Sequence, residues 1–507
     1  MSIRDSSIVI LDTSRTSVRA GLGLHDLLRT PVVEILARVG LPRALLANAV
    51  NGDAQSGPST SKAARGIAVP GVKVTDYLVG TQLEEALAAG QDIVQYWPFA
   101  EADVNDWTQA EALWKYVLFN QLRLRRTQME SPVLLSLPPG LSRDAYEHLC
   151  QIFFERFNVA GFGILERPVA QFYSAVNASS GLSGVIVDVD REWTDISPIY
   201  DGFLVHGARA SVKVGMEDCK KYLAELLRGN QSVMAALLEP VEGENPLDDA
   251  GQQAALEGLA QQLWLDGHIK VLAEGEAAAQ DVEDLTADGD INIAAIVVAG
   301  KEKAVIEKGM KNKAARANAA EQARAKEIEA RDLTEVQWRG KTVTIGKERH
   351  RFCEPLFDVD VRESVKGKER EKKGVSVLSL QAAVAEAVTR TEIDQRQYVW
   401  QGLFVTGEIT NHIKNLGAAL QTRLVSLIPS SVDPQHNEVQ PRAIKTLKIP
   451  DYFAEYRDKG DGLASFLGTS IVAKITFSET AGKNFISKGE YTSMGPKAVL
   501  GMSPALL

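Results

Sequence analysis

A chain of 507 residues that is 45% hydrophobic can bury a large core and is expected to form two or more domains or lobes. Its formal charge of −10 argues against a dedicated nucleic-acid binder, though it leaves local basic patches possible. Cys150, Cys219 and Cys353 lack metal-ligand spacing, no basic-then-apolar leader opens the sequence and no apolar run reaches membrane-spanning length. Buried reduced thiols in a soluble intracellular protein with no membrane partner are therefore expected.

The first element is an apolar run from Ile8 that ends in Asp12, bends through Ser14, Arg15 and Thr16, and resumes through Arg19 to Gly21 and Gly23. This is the pattern of a β-hairpin with a carboxylate at its bend. A hairpin that holds phosphate has a glycine-rich bend, because glycine lets backbone N–H groups approach the anion directly. Here the bend has none. An extended apolar segment follows at Leu27–Ile35, and residues 51–65, rich in Gly, Ser, Ala and Pro, read as an exposed mobile loop. Order is expected to resume at Asp76–Gly80, with a short helix over Leu83–Ala89. Large apolar residues from Trp107 to Phe119 recur at helical spacing and are expected in the core.

Residues 132–138 form a short apolar strand, and Ser142 is a plausible helix cap. Val185–Asp188 is a second apolar strand ending in an aspartate, followed by Asp190, Arg191 and Glu192 and an extended run from Thr194 to Gly202. Two hairpins of one type suggest a two-lobed fold with a cleft between related lobes. From about 231 to 290 the chain is acidic and alanine-rich. Residues 301–331 alternate Lys, Glu, Arg and Ala without an apolar stripe, which reads as a solvated helix or partly disordered insertion. A nucleic-acid-binding helix is the sharper alternative. Residues 363–373 read as a shorter charged loop. Regular structure is expected again at Val343–Arg349, in a helix over Leu380–Val388, in a strand-to-turn element at Gly402–Thr410, and in a helix around Gly417–Leu420.

Taken together, these segments resemble the actin family, with gaps, from Ile8 to about Val499. The residues that carry the likeness are Thr344-Ile-Gly-Lys-Glu-Arg349 followed by Pro355-Leu-Phe357, Asp188 with Pro198-Ile-Tyr-Asp-Gly202, Phe154-Glu155 with Phe157-Asn158, and Phe485-Ile-Ser-Lys-Gly-Glu-Tyr491 with Gly495-Pro496. The resemblance implies an α/β, actin-like (ribonuclease-H-like, duplicated) two-lobed fold with a central cleft and a charged insertion in the large lobe. The small lobe would span 1–173, with the mobile loop at 51–66. The large lobe would span 174–475, with the insertion at about 231–338, and 476–507 would return to the small lobe. Arg19 to Arg29 with Val33 to Gly40 looks like the fungal nuclear actin-related proteins of SWI/SNF and RSC chromatin-remodelling complexes. That likeness implies a nuclear subunit that binds the long helix preceding the remodeller's motor and pairs there with a second actin-related protein. Other complex subunits would be partners too, with chromatin contacted indirectly.

Actin-type hydrolysis needs two glycine hairpins, aspartates around a hydrated metal, a glutamine near the attacking water, and a glycine pair at the adenosine end. By the resemblance, the first hairpin keeps Asp12 but has Ser14 and Thr16 for its glycines, and Arg19 for a phosphate-contacting lysine. The second keeps Asp188, with Asp190, Arg191 and Glu192 at its tip, where added negative charge disfavours a triphosphate. Arg167 aligns with the glutamine and cannot take a proton. Gly407 survives at the adenosine end, with Glu408 beside it. No catalytic residue, metal site or cofactor is therefore expected. Arg167 is expected to stand in for the metal's charge by pairing with Asp12 or Asp188.

Arg15 is open between an ordinary surface ion pair and, with Arg19 and Arg191, a side-chain phosphate contact that would leave a non-hydrolysing ATP and magnesium site. Tyr173, Ile475 and Phe485 are candidates for the groove that takes the partner helix, with plain core as the alternative for each. Two competing identities remain: an ATPase of the actin and sugar-kinase superfamily, or an actin-related subunit of a histone-exchange or acetyltransferase complex.

Overall fold

The computed structural model describes residues 5–24, 29–50, 71–101, 103–177, 181–239, 247–271, 332–366, 378–428, 443–477 and 484–502. The expected mobile loop at 51–66 and the mixed-charge stretch 301–331 lie outside them. The chain divides into two compact units, Met1–Lys213 with Ala382–Asn411 and Ile428–Leu507, and Val214–Gln381 with His412–Leu427.

The first unit contains both hairpins, each in its own sheet. Val9–Thr13 pairs antiparallel with Ser17–Leu22 and parallel with Val133–Leu137. The six-stranded sheet is completed by Val33–Leu36 at one edge and by Gly161–Glu166 and Ile486–Ser487 at the other. Gly184–Val189 repeats the arrangement, antiparallel to Thr194–Tyr200 and parallel to Leu403–Thr406. This strand runs one residue beyond Asp188, where the sequence reading ended it. The register places the two aspartates equivalently: Asp12 lies opposite Arg19 and Ser136, and Asp188 lies opposite Asp195 and Thr406. The internal duplication is thus visible at the level of single residues.

Both hairpins' first strands read as near-continuous apolar runs because each is covered on both faces. One face of the first sheet packs on Trp114 and Phe153, and the Phe153 ring stacks 4.3 Å from Phe162 of the sheet itself. The other face shares a core with the second sheet: Ile10 and Leu134 from the first, Ile186, Ile199 and Phe404 from the second. Two helices, Arg167–Ala175 and Ala464–Thr476, fill that core and cross in close contact. Gly468 makes the crossing possible, since a β-carbon there would lie 1.6 Å from the Ala170 carbonyl oxygen. Helix starts follow local chemistry: Asp106 accepts from the Thr108 amide at 2.7 Å, and Ser142 from the Ala145 amide at 3.2 Å.

In the second unit, Met216–Leu227, Gln231–Leu238 and Asp249–Leu265 are helices, and Thr334–Trp338 pairs with Lys341–Ile345 as a hairpin. The acidic, alanine-rich stretch is therefore folded where it is described. Leu256, Leu259, Leu263 and Trp264 recur at helical spacing and are buried, so an apolar stripe sits inside the acidic composition. The charged loop expected from residue 363 begins instead as the end of a helix, Val359–Lys366, whose Arg362 is buried against the Leu378 carbonyl at 3.1 Å. Asn230 ties the helices to the hairpin through the Thr344 carbonyl and Glu348 at 3.1 and 2.7 Å. The three cysteines are buried and unpaired, and burial pushes the Cys150 thiol up to about 12.

Candidate functional site

The sequence departures at the two bends converge in the first unit. Arg167 opens its helix and is 6% exposed. Its Nε donates to Asp12 Oδ1 at 3.3 Å, and its Nη1 donates to Asp188 Oδ2. A single guanidinium therefore bridges the two aspartates, where the sequence reading expected a pair with one or the other. Each carboxylate has further donors. Ser465 and Ser136 hydroxyls reach Asp12 Oδ1 at 2.7 and 3.2 Å, and Gln171 Nε2 reaches Asp188 Oδ2 at 2.7 Å. Burial alone would lower the Arg167 pKa, but Asp188 and Asp12 outweigh it and hold the cation above its ordinary value. Charges this deep persist when paired and hydrogen-bonded, a condition met by Asp12 and by Asp188 Oδ2, while Asp188 Oδ1 has no hydrogen-bond partner among the described residues.

The bend at Ser14–Ser17 is closed on itself. The Ser14 amide donates to the Ser17 carbonyl at 2.8 Å, and the Thr16 and Ser17 amides donate to Ser14 Oγ at 3.1 and 2.9 Å. These are donors that a glycine bend would offer to a phosphate, and here a hydroxyl takes them. The second bend repeats the device with a carboxylate. Asp190 Oδ1 accepts from the Arg191 amide at 2.8 Å and from the Thr16 hydroxyl at 2.5 Å, joining the two tips. Ser14 and Asp190 thus fill each bend with the chain's own oxygen.

The remaining arginines are also engaged. Arg15 is buried and grips Asp195 with both Nε and Nη2 at 2.8 Å, while its Nη1 donates to the Ala100 carbonyl at 2.9 Å. Its guanidinium lies 5.4 Å from the Trp193 ring centre. Burial lowers its pKa and Asp195, Asp190 and Asp188 raise it more, so the net shift is upward. Arg19 Nε bonds Glu34 at 2.7 Å, and its Nη1 donates to the Gly462 carbonyl at 3.0 Å, 4.0 Å from Asp12. Arg191 lies 5.6 Å from the Trp97 ring centre. Gly407 has φ +108°, and a β-carbon on it would lie 2.2 Å from the Val189 carbonyl oxygen, so the backbone demands glycine. Glu408 starts the short turn Glu408–Asn411 that follows.

The groove candidates divide. Tyr173 and Phe485 lie partly buried against the core shared by the two sheets, Phe485 5.0 Å from Phe477 and within contact of Gly161. Ile475 is 50% exposed at the end of its helix. Several site members escaped the sequence reading. Gln171 stands one helical turn after Arg167, a spacing that could have found it. Asp195 is opposite Asp188 across the hairpin, and the register contains that pairing once the bend is known. Ser465 has no local signal, since it reaches Asp12 from 453 residues away.

Glu166 adds an unusual buried acid beside Arg167. It is 3% exposed, its Oε1 has no hydrogen-bond partner among the described residues, and burial pushes it up to about 7 against the opposing charge of Arg209.

Comparison with known proteins agrees with this geometry. The sequence profile of the Actin family matches residues 3–261, just over half of the 507 residues. The SWI/SNF and RSC complexes subunit arp9 of Schizosaccharomyces pombe is 24% identical, across 98% of this chain and 99% of its own length. Actin-related protein 3 of Dictyostelium discoideum is 26% identical over 31% of this chain and 37% of its own length. An actin-like protein of Neurospora crassa is 28% identical over 43% of this chain and 50% of its own length. With two equivalent hairpins in two α/β sheets and a matching profile over half its length, this chain belongs to the actin family.

Proposed function

We propose that this chain is a non-catalytic actin-related subunit, structural and regulatory, of a nuclear ATP-dependent chromatin-remodelling complex of the SWI/SNF or RSC type. The observation that carries the non-catalytic part is Arg167 bridging Asp12 and Asp188. In the actin scheme those aspartates surround a hydrated metal, and a glutamine positions water. Here one fixed cation stands where the resemblance places that glutamine, bonds both aspartates and cannot take a proton. Ser14 and Asp190 oxygens on the bend amides support the same reading. The near full-length likeness to a subunit named for SWI/SNF and RSC supports the complex assignment.

In this role the chain contributes a rigid framework that binds the helix preceding the remodeller's motor, beside a second actin-related protein. A partner helix with a row of apolar anchors would engage Tyr173, Ile475 and Phe485. Arg167 and Thr16 tie the two sheets through protein contacts, so the binding surface would not depend on nucleotide state.

Isothermal titration of the purified chain with ATP and magnesium tests the first part: no saturable heat is expected. Binding at micromolar affinity would overturn it and favour an ATP-binding family member. Capture of a tagged endogenous copy followed by mass spectrometry tests the second part. A remodeller motor subunit is expected, and recovery of a histone-exchange or acetyltransferase complex instead would replace the assignment.

A further inference from the structure

Two helices of the first unit, Trp107–Lys115 and Arg143–Gln151, run side by side in the same direction. Trp107 meets His148 edge-on at 4.7 Å, Trp114 lies 5.6 Å from Phe153, and Phe119 lies 5.8 Å from Phe157. Each continues into a π-helical turn, Tyr116–Gln121 and Ile152–Arg156. Lys115 and Arg156 therefore stand towards the same end of the pair. The segment leaving the first turn carries Arg123, Arg125 and Arg126.

That segment is held in place. The Leu122 and Leu124 amides donate to the Val117 and Leu118 carbonyls at 2.9 and 3.1 Å, and both leucines pack on the core. Arg123 and Arg125, on either side of Leu124, are exposed. Arg126 donates to the Glu155 backbone carbonyl at 3.2 Å, and its own carbonyl accepts from Asn158 at 3.0 Å. Lys488 joins the group through Asn158 Oδ1 at 2.5 Å. None of Lys115, Arg123, Arg125, Arg126, Arg156 or Lys488 forms an ion pair with a described carboxylate. The acids nearby include Glu111, half-buried with Arg156, Lys115, His148 and Arg126 around it, Glu155, which accepts from the Tyr491 hydroxyl at 2.6 Å, Glu490, which accepts from Ser487, Glu147 and Glu130.

A cluster of unneutralised arginines is unexpected on a chain of net charge −10. We propose that this face binds the sugar-phosphate backbone of double-stranded DNA without reading its sequence. Guanidinium forks match phosphate oxygens in two-point contact, and Arg123, Arg125 and Arg126 present three of them on one short exposed segment. The arginines sit on a short pinned segment and at a helix end, so nothing here is shaped to enter a groove and read base edges. The chain's overall negative charge does not prevent this, because at 0.1 M salt charges beyond roughly 10 Å are largely screened. The inference shares no residue with the hairpins. It leans on the chromatin reading only for DNA being within reach.

The test is fluorescence anisotropy of the full chain with a labelled random-sequence duplex across a potassium chloride series. Binding at low salt is expected, with a slope of log affinity against log salt of about −4.5 to −5.5 for five or six phosphate contacts. R123A/R125A/R126A should flatten that slope by about 3 and weaken binding at least tenfold, with an unchanged melting temperature. The single variant R125A, with a smaller loss, serves if the triple variant melts early. Three outcomes overturn the proposal: no binding by the wild type at 50 mM salt, equal affinity and slope for the folded variants, or tighter binding of polyglutamate than of DNA, which would point to an acidic protein. Failure to capture a remodeller motor would leave this titration unaffected, so the two readings fail separately.

Discussion

The Thr16 hydroxyl donates to Asp190 Oδ1, joining the tips of two hairpins that lie 174 residues apart in the sequence. The same Asp190 oxygen accepts the Arg191 amide, and Ser14 Oγ accepts the amides of Thr16 and Ser17. Each contact puts a protein oxygen where a glycine bend would present donors to a phosphate. The two bends are thus closed and joined by the chain's own side chains.

This arrangement sets an order on any attempt to restore nucleotide binding. Ser14→Gly with Asp190→Gly frees amide donors but leaves Arg167 on both aspartates, so no metal can be held. The double variant is expected to show no saturable heat with ATP and magnesium. Adding Arg167→Gln should bring measurable affinity, stronger than about 1 mM. Calorimetry of the three proteins in parallel checks this. Binding by the double variant alone would show that Arg167 is not the obstacle.

Arg167→Gln by itself should be costly. It leaves Asp12 and Asp188 buried and facing each other, and breaking a buried pair from one side typically costs about 3–5 kcal/mol. The sign of its pH dependence follows from the aspartates. Burial already holds the Asp188 carboxyl above its ordinary value with Arg167 opposing, so removing the cation raises it further and the variant loses stability as pH climbs through it. Urea denaturation should show the deficit largest at pH 8 and smaller near pH 5. A second change, Asp188→Asn, should recover much of the loss, and strict additivity of the two would argue against direct coupling.

Much of this fold was legible in the sequence. Apolar runs ending in Asp12 and Asp188 mark strands covered on both faces, and the two bends announce the duplication. Arg167 was legible as a charge in the wrong place. That it bonds Asp12 and Asp188 at once was not, because the two aspartates lie on separate sheets that only the fold brings together. Asp195 was hidden by a one-residue uncertainty in strand register, which decides which face every side chain takes. The described part of the acidic stretch misled for another reason: alanine-rich composition masked the stripe of Leu256, Leu259 and Leu263.

Glu166 makes stability depend on pH near neutrality. Burial raises its carboxyl from 4.5 to about 7 in the folded chain, while Arg209 and a backbone bond from Gly140 only partly oppose this. A raised folded pKa means that the native state keeps the proton longer than the unfolded chain does. The stabilisation is complete below pH 4.5 and is lost as pH rises to about 7. At roughly 1.4 kcal/mol per unit this amounts to about 3 kcal/mol. Asp461, raised to about 6 by burial, acts in the same direction, so the difference curve between wild type and Glu166→Gln is the useful measurement. The variant should be the more stable protein at pH 8, with the two curves converging towards pH 4.5. Parallel curves across that window would show that Glu166 is already ionised in the folded chain.

The helix pair beneath the hairpins gives a last check on how the site is held. Gly468 faces the Ala170 carbonyl so closely that an alanine β-carbon would lie 1.6 Å from it. Backbone cannot yield as a flexible side chain can, so Gly468→Ala must separate the helices. Arg167 and Ser465 sit on those same two helices and both bond Asp12, so separation would loosen the site as well as the core. A loss of 3 kcal/mol or more is expected, in line with the upper range for forced overpacking. Gly489→Ala, at a helical position with nothing within 4 Å, should be neutral or slightly stabilising. Thermal melts of the two variants compare them directly. If Gly468→Ala melted with the wild type, the helices would have to cross further apart than this geometry has them.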